Sequence, residues 1–201
     1  MMNPKPLLAI VLASALTVSV VVFAKSSAVM ALFDSAKAQS NSAGPHLIPA
    51  TGTIEVAFSP QSGATEMVVK AISEARKNIL VQAYSFTSAP IANALVQAKN
   101  RGVEVRVILD KSQRSEKYTS ATYIANHDIP VRIDTQHAIA HNKIIICDEQ
   151  NVITGSFNFT KAAELRNAEN VLVLRGNIKL ARIYVNNWQA HWAHSQGYER
   201  R

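Results

Sequence analysis

A histidine and a lysine one residue apart, His141-Asn142-Lys143, open the stretch HNKIIICDEQNVITGSFNFTKAAELRNAEN that ends at Asn170. The run after Lys143 is apolar and β-branched, so Asn142–Cys147 is expected to be a strand. The two-residue period of a strand then puts His141 and Lys143 on one face, with Asn142 and Asp148 on the other. An imidazole beside an ammonium is costly to bury without an anion and useful with a phosphate between them. The ammonium can hold a non-bridging oxygen, and a neutral imidazole is the form that attacks phosphorus. Downstream, Gly155-Ser156-Phe157-Asn158 follows a second strand-like run and precedes a helix-like one. Gly155 permits a sharp turn. Ser156, Asn158 and backbone N–H groups near a helix start suit phosphate oxygens, although Ser and Asn in such places are more often simple helix caps.

The elements that must position these residues alternate along the chain. Strands are expected at Thr53–Phe58, Ile79–Phe86, Val103–Leu109, Val131–Ile133, Asn142–Cys147, Asn151–Thr154 and Asn170–Leu174, with Asp148-Glu149-Gln150 turning between two of them. Helices are expected at Gly63–Lys77, Pro90–Arg101, Ser115–Asn126, Lys161–Arg166 and Ile178–His194. The fold class this implies is α/β: one mixed β-sheet flanked by helices on both faces, in a single domain over residues 53–201. No internal repeat is present.

His141-x-Lys143-x4-Asp148-x6-Gly155-Ser156-x-Asn158 specifies six positions across eighteen residues without a gap. It resembles the His-Lys-Asp signature of the phospholipase D superfamily, with the motif segment at residues 135–162. From about residue 53 to 195 the chain is similar to the small bacterial single-motif endonucleases of that superfamily. The resemblance implies a phospholipase D/nuclease-like fold and hydrolysis of a phosphodiester through a phosphohistidine on His141. It implies phosphate binding by Lys143 and Asn158, with Ser156 beside them. A carboxylate after the Gly-Ser turn would orient the histidine; Glu169 matches it, with Glu164 the weaker alternative. Strand parity sets Asp148 apart from His141, so its expected role, with Gly155, is to hold the turn.

The reaction needs two imidazoles, one to attack and one to protonate the leaving oxygen. The chain has one His-x-Lys. His46, His127, His137, His191 and His194 lack the companion lysine, and His137 is expected to be a loop residue at the groove edge. A homodimer with a composite active site would supply the second ring. No cofactor and no metal are expected, because no Cys or His cluster has ligand spacing.

Net charge of +7 and a pI near 9.7 favour a polyanionic partner, nucleic acid first. Lys111, Arg114 and Lys117 are candidates for a phosphate track. A phospholipid or cardiolipin hydrolase is the alternative, since the same chemistry serves any phosphodiester; a non-catalytic binding module is a third. The lone Cys147 ends an apolar run and reads as a small buried hydrophobe. Residues 1–38 carry Lys5, an uncharged run from Pro6 to Ala24, and Ala36-Lys37-Ala38 before Gln39. They read as a signal peptide, with an uncleaved membrane anchor as alternative. Residues 39–52 have linker composition. Both readings of the leader place the domain outside the cytoplasm: periplasmic or secreted, or anchored in the inner membrane and facing the periplasm.

Overall fold

Alternation of β-branched runs with amphipathic ones produces, in a computed structural model describing residues 44–199, eight strands and five α-helices. They are β1 (Thr53–Ser59), α1 (Ala64–Glu74), β2 (Asn78–Ala83), α2 (Ala89–Asn100), β3 (Glu104–Asp110), α3 (Ala121–Asn126), β4 (Val131–Asp134), β5 (Lys143–Cys147), β6 (Asn151–Gly155), α4 (Lys161–Leu165), β7 (Glu169–Arg175), α5 (Ile178–His194) and β8 (Gln196–Gly197). The signal-peptide reading and the start of the linker lie outside the described residues. From Gly44 to Gly52 the linker forms no strand or helix. Its end is nevertheless docked: Asn177 Nδ2 donates to Pro49 O at 3.0 Å, and a Cβ on Gly52 would meet Arg175 O at 1.7 Å.

All eight strands form one sheet in the order β1-β7-β6-β5-β2-β3-β4-β8. β2, β3 and β4 run parallel, and the other neighbours pair antiparallel. The strand period divides the apolar residues between two layers. Ile145 and Cys147 of β5 join the main core with Val68, Ile72, Ile91, Leu95 and Ile124 of α1, α2 and α3. Ile144 and Ile146, on the other face, meet Val185 and Trp188 of α5. Helices therefore cover both faces, which is the mixed α/β class read from the sequence. Trp188 also donates from Nε1 to Val81 O at 2.9 Å, so the helix is pinned by a polar bond inside its apolar contact. Trp188→Ala should cost about 3–5 kcal/mol.

Two expectations change here. The helix expected over Ser115–Asn126 is helical only from Ala121. A 3-10 turn at Lys111–Arg114 precedes it, capped by Asp110 accepting from Ser112 N. The intervening residues are held by tertiary bonds: Gln113 is buried and its Oε1 accepts from Phe86 N and Thr119 Oγ1. Tertiary context here outweighs helix propensity. The two-residue strand β8 had no pattern long enough to be seen.

Candidate active site

Parallel strands β2, β3 and β4 end at the sheet edge where antiparallel β5 begins, because Ala83 pairs with both Lys143 and Leu109. Lys143 is buried at the first position of β5, and His141 stands exposed two residues before it. Lys143 Nζ donates to His141 O at 2.8 Å and lies 3.1 Å from His141 Nδ1. An ammonium can only donate, so Nδ1 is the acceptor in this arrangement and the ring proton sits on Nε2. Burial lowers the Lys143 pKa below the ordinary lysine range, opposed by the charge of Glu169. Tyr84, just past β2, packs its ring 4.4 Å from the His141 ring and 5.2 Å from Lys143 Nζ. The sequence reading missed Tyr84; its position at the end of an apolar strand entering the sheet edge was the available signal.

The Gly155–Asn158 turn differs from the anion cradle expected of it. Ser156 N and Phe157 N both donate to Asn170 O, at 3.1 and 3.2 Å, so these N–H groups are already engaged. Ser156 Oγ accepts from Asn170 N at 3.1 Å. The following helix begins at Lys161, and its cap is Thr160, whose hydroxyl accepts from Ala163 N. Ser156 and Asn158 are therefore neither caps nor part of a helix N-terminus. Asn158 Oδ1 is buried with no partner among the described residues. An unpartnered buried amide oxygen costs about 1–3 kcal/mol, a cost that functional sites often carry. Gly155 is needed for close approach: a Cβ there would meet Asn170 O at 2.3 Å.

The profile of the family described as "Cardiolipin synthase, PLD-like domain" matches residues 68–192. The phospholipase D of Rickettsia prowazekii (strain Madrid E) is 44% identical over 135 residues, 67% of this chain and 65% of that protein. The crystal structure of Nuc from Salmonella typhimurium, a phospholipase D family member, superposes with a TM-score of 0.71 at 42% identity, covering 74% of this chain and 99% of Nuc. The chain belongs to the phospholipase D superfamily. The mitochondrial cardiolipin hydrolase of Mus musculus is more distant, 26% identical over 148 residues, 74% of this chain and 66% of that protein. The chain spans about two thirds of the length of the Rickettsia and mouse relatives.

The relatives named include a phospholipase D and a cardiolipin hydrolase, and the remaining motif residues sort by distance from the His141–Lys143 pair. Asp148 is remote: its carboxylate accepts from the backbone N–H groups of Arg76, Lys77 and Asn78 at 2.7–3.1 Å. Glu169 accepts from Asn167 Nδ2 at 3.1 Å rather than from His141, while its charge acts on Lys143. Glu164 accepts from Thr65 N at 2.7 Å and holds α4 to α1. Lys111, Arg114 and Lys117 are exposed on the segment after β3; Arg114 donates to Gln196 Oε1 at 2.9 Å. Cys147 is buried, and burial with the nearby Asp148 charge pushes its thiol up to about 12.

One reading needs correction. A histidine cluster with ligand spacing does exist: His137, His191 and His194 converge on Asp134. His137 is in a loop, as expected, but its ring stacks on that of His191 at 4.7 Å. The halves Asp134-x2-His137 and His191-x2-His194 were visible as spacings, and only the fold brings them together. Burial would raise the Asp134 pKa, but hydrogen bonds from His191, His194 and His137 outweigh it and hold the carboxyl well below the usual range.

Proposed function

We propose that this chain is an endonuclease that hydrolyses nucleic acid through a phosphohistidine on His141, without a catalytic metal, in a homodimer whose two motifs share one site. One observation supports nucleic acid above all. The exposed basic segment Lys111–Lys117 begins at Asp110, whose Oδ2 accepts from Ala140 N at 2.8 Å, one residue before His141. Basic side chains on that segment would offer a phosphate track beside His141. The relative called Nuc, matched over 99% of its length, supports the same reading.

In the reaction, phosphate draws Lys143 Nζ onto a non-bridging oxygen and away from His141 Nδ1. The freed Nδ1 takes the ring proton and donates it towards Glu169, and Nε2 attacks phosphorus. His141 of the partner subunit, entering as the imidazolium once its own Lys143 has moved onto the phosphate, protonates the departing oxygen; the neutral ring left behind then takes a proton from the water that cleaves the phosphohistidine. Asn158, donating from its side-chain Nδ2, and Lys143 from both subunits stabilise the charge on the phosphoryl oxygens.

The dimer is supported by an uncovered apolar stripe. Ile54, Val56 and Phe58 of β1 are each more than half exposed on the sheet face that α5 covers farther along. Leu172 and Leu174 of β7 pair with Val56 and Ile54, and Phe58 pairs with Asn170, which binds Ser156. The stripe thus runs up to the motif, where a second copy would have to sit.

A lipid phosphodiester is the second reading. Ile139 and Tyr118, 61% and 71% exposed near the same sheet edge, would suit a membrane surface. Export rests on residues outside the described part; among the described residues no helix is long and apolar enough to cross a membrane. The deciding experiment incubates purified protein in EDTA, well below its unfolding temperature, with supercoiled plasmid, RNA and labelled phospholipid including cardiolipin. Nicking of nucleic acid with intact lipid is expected. Lipid hydrolysis with intact nucleic acid would replace this reading with the second.

A further inference from the structure

Asp134 closes β4, His137 follows in the next loop, and His191 and His194 occupy the last turn of α5, where spacing of three places them on one face. Asp134 is 0% exposed. Its Oδ2 lies 2.9 Å from His137 Nδ1, 2.8 Å from His191 Nδ1 and 3.3 Å from His194 Nε2. Its Oδ1 already accepts from Gln136 N and His137 N, at 3.1 and 3.3 Å, and lies 3.1 Å from His137 Nδ1. These contacts exceed the roughly four lone-pair positions of a carboxylate, and three ring nitrogens crowd one oxygen. One donor atom from each residue lies within 4.8 Å of all the others. A tetrahedral shell with metal–ligand bonds of about 2.0–2.1 Å has ligand atoms about 3.3 Å apart. The cluster has the spacing of a coordination shell.

We propose that Asp134, His137, His191 and His194 form a structural site for a divalent transition metal, Zn²⁺ first. Three imidazoles and one carboxylate suit zinc and its neighbours and are a poor match for Mg²⁺ or Ca²⁺. Four protein ligands complete a tetrahedral shell, leaving no position for substrate, which marks the site as structural. Lys143 and Asp134 are separated along the sheet edge by the steps β5 to β2 to β3 to β4, roughly 14 Å. The ion is therefore outside reach of the phosphate. It ties residues 135–142, the loop that delivers His141, to the end of α5.

The test uses untagged protein stripped with chelator, reloaded with zinc and freed of excess. His137→Gln and His194→Gln remove the two more exposed ligands, 45% and 27% exposed at the side chain, so the fold should survive; circular dichroism in chelator checks this. Wild type should hold about one zinc per chain by mass spectrometry. At zinc a hundredfold above Kd its Tm should rise by about 5–10 °C over the stripped form. Cobalt should give the visible bands of a four-coordinate ion. Either variant should lose the stoichiometric metal, the rise in Tm and the bands. Wild type that takes up no zinc and keeps the same Tm would leave only a hydrogen-bonded His–Asp cluster and overturn the proposal. Variants that bind zinc and are stabilised as well as wild type would place the metal elsewhere and overturn it equally.

Discussion

Asp148→Asn separates holding the fold from performing the chemistry within one motif. Asp148 sits at φ +55°, the left-handed region, which asparagine tolerates well, so the turn itself should be unaffected. What changes is the acceptor. Asp148 Oδ1 accepts from Lys77 N at 2.7 Å and from Arg76 N and Asn78 N at 3.1 Å, and Oδ2 from Arg76 N at 2.9 Å. The amide keeps one oxygen, loses the charge, and turns an NH₂ towards the Arg76 N–H. A buried hydrogen bond to a charged acceptor contributes about 1.5–3 kcal/mol, but water can reach the N–H groups of Arg76 and Lys77. Three discounted bonds give a loss of about 1.5–3 kcal/mol for Asn. At about 2–4 °C per kcal/mol, Tm should fall by roughly 3–12 °C. Thermal melts supply the first measurement; turnover of a fluorogenic phosphodiester, 20 °C or so below the variant's Tm, supplies the second. Turnover should stay within about twofold of wild type. A hundredfold loss of turnover with an unchanged melt would show that Asp148 acts on the reacting atoms and refute the structural assignment.

His141→Asn should invert that pattern, abolishing turnover with Tm unchanged; heterodimers of tagged wild-type and His141→Asn chains should also be inactive, and half activity would sink the shared site. Burial lowers the Lys143 pKa, so the alkaline limb of kcat/KM should begin below the usual lysine value near 10.4 and fall by about tenfold to a hundredfold per pH unit, two Lys143 ammonium groups serving one site and the charged form being lost as pH rises. Glu169→Gln should shift the limb lower still, and a limb unmoved by this change would remove Glu169 from the field at Lys143. Cys147, with its thiol pushed up to about 12, carries roughly one part in ten thousand thiolate at pH 8, so iodoacetamide should label it only after unfolding; labelling at the rate of a free thiol would contradict its burial. Replacing Lys111, Arg114 and Lys117 by Gln should flatten the salt dependence of DNA binding by about 2–3 in log–log slope, and an unchanged slope would remove the segment from the track.

Legibility followed the range of the forces involved. α5 reads correctly from Ile178 to His194 because a long apolar period and an Asn177 cap are local features; Asn177 Oδ1 accepts from Leu180 N. The His141–Lys143 pair was readable because strand parity and strand position are local as well. Ser115–Ser120 was misread as helix because long-range bonds shape it, Ser120 N donating to Phe86 O. The turn after Gly155 was half legible: the need for glycine showed, while the engagement of its N–H groups by Asn170 depended on strand pairing fourteen residues away. The metal-ligand cluster was missed because its two halves lie about sixty residues apart.

The edge that gathers the motif also explains how its loop is held. β2, β3 and β4 end there together, so their last side chains meet the loops that begin and end beside β5. Two of those residues are carboxylates, Asp110 and Asp134, which pair across β3 and β4 and are almost fully buried. Neither is left as an isolated buried charge. Asp110 accepts from Ser112 N and Ala140 N; Asp134 accepts from Gln136 N and His137 N and faces three imidazoles. Each therefore holds one part of the segment 135–142, one at its start and the other just before His141. A segment without secondary structure of its own is thus fixed at both ends by strand-terminal acceptors. The exposed His141 ring therefore stands on a segment hydrogen-bonded at both ends, as the attack at phosphorus proposed above would require.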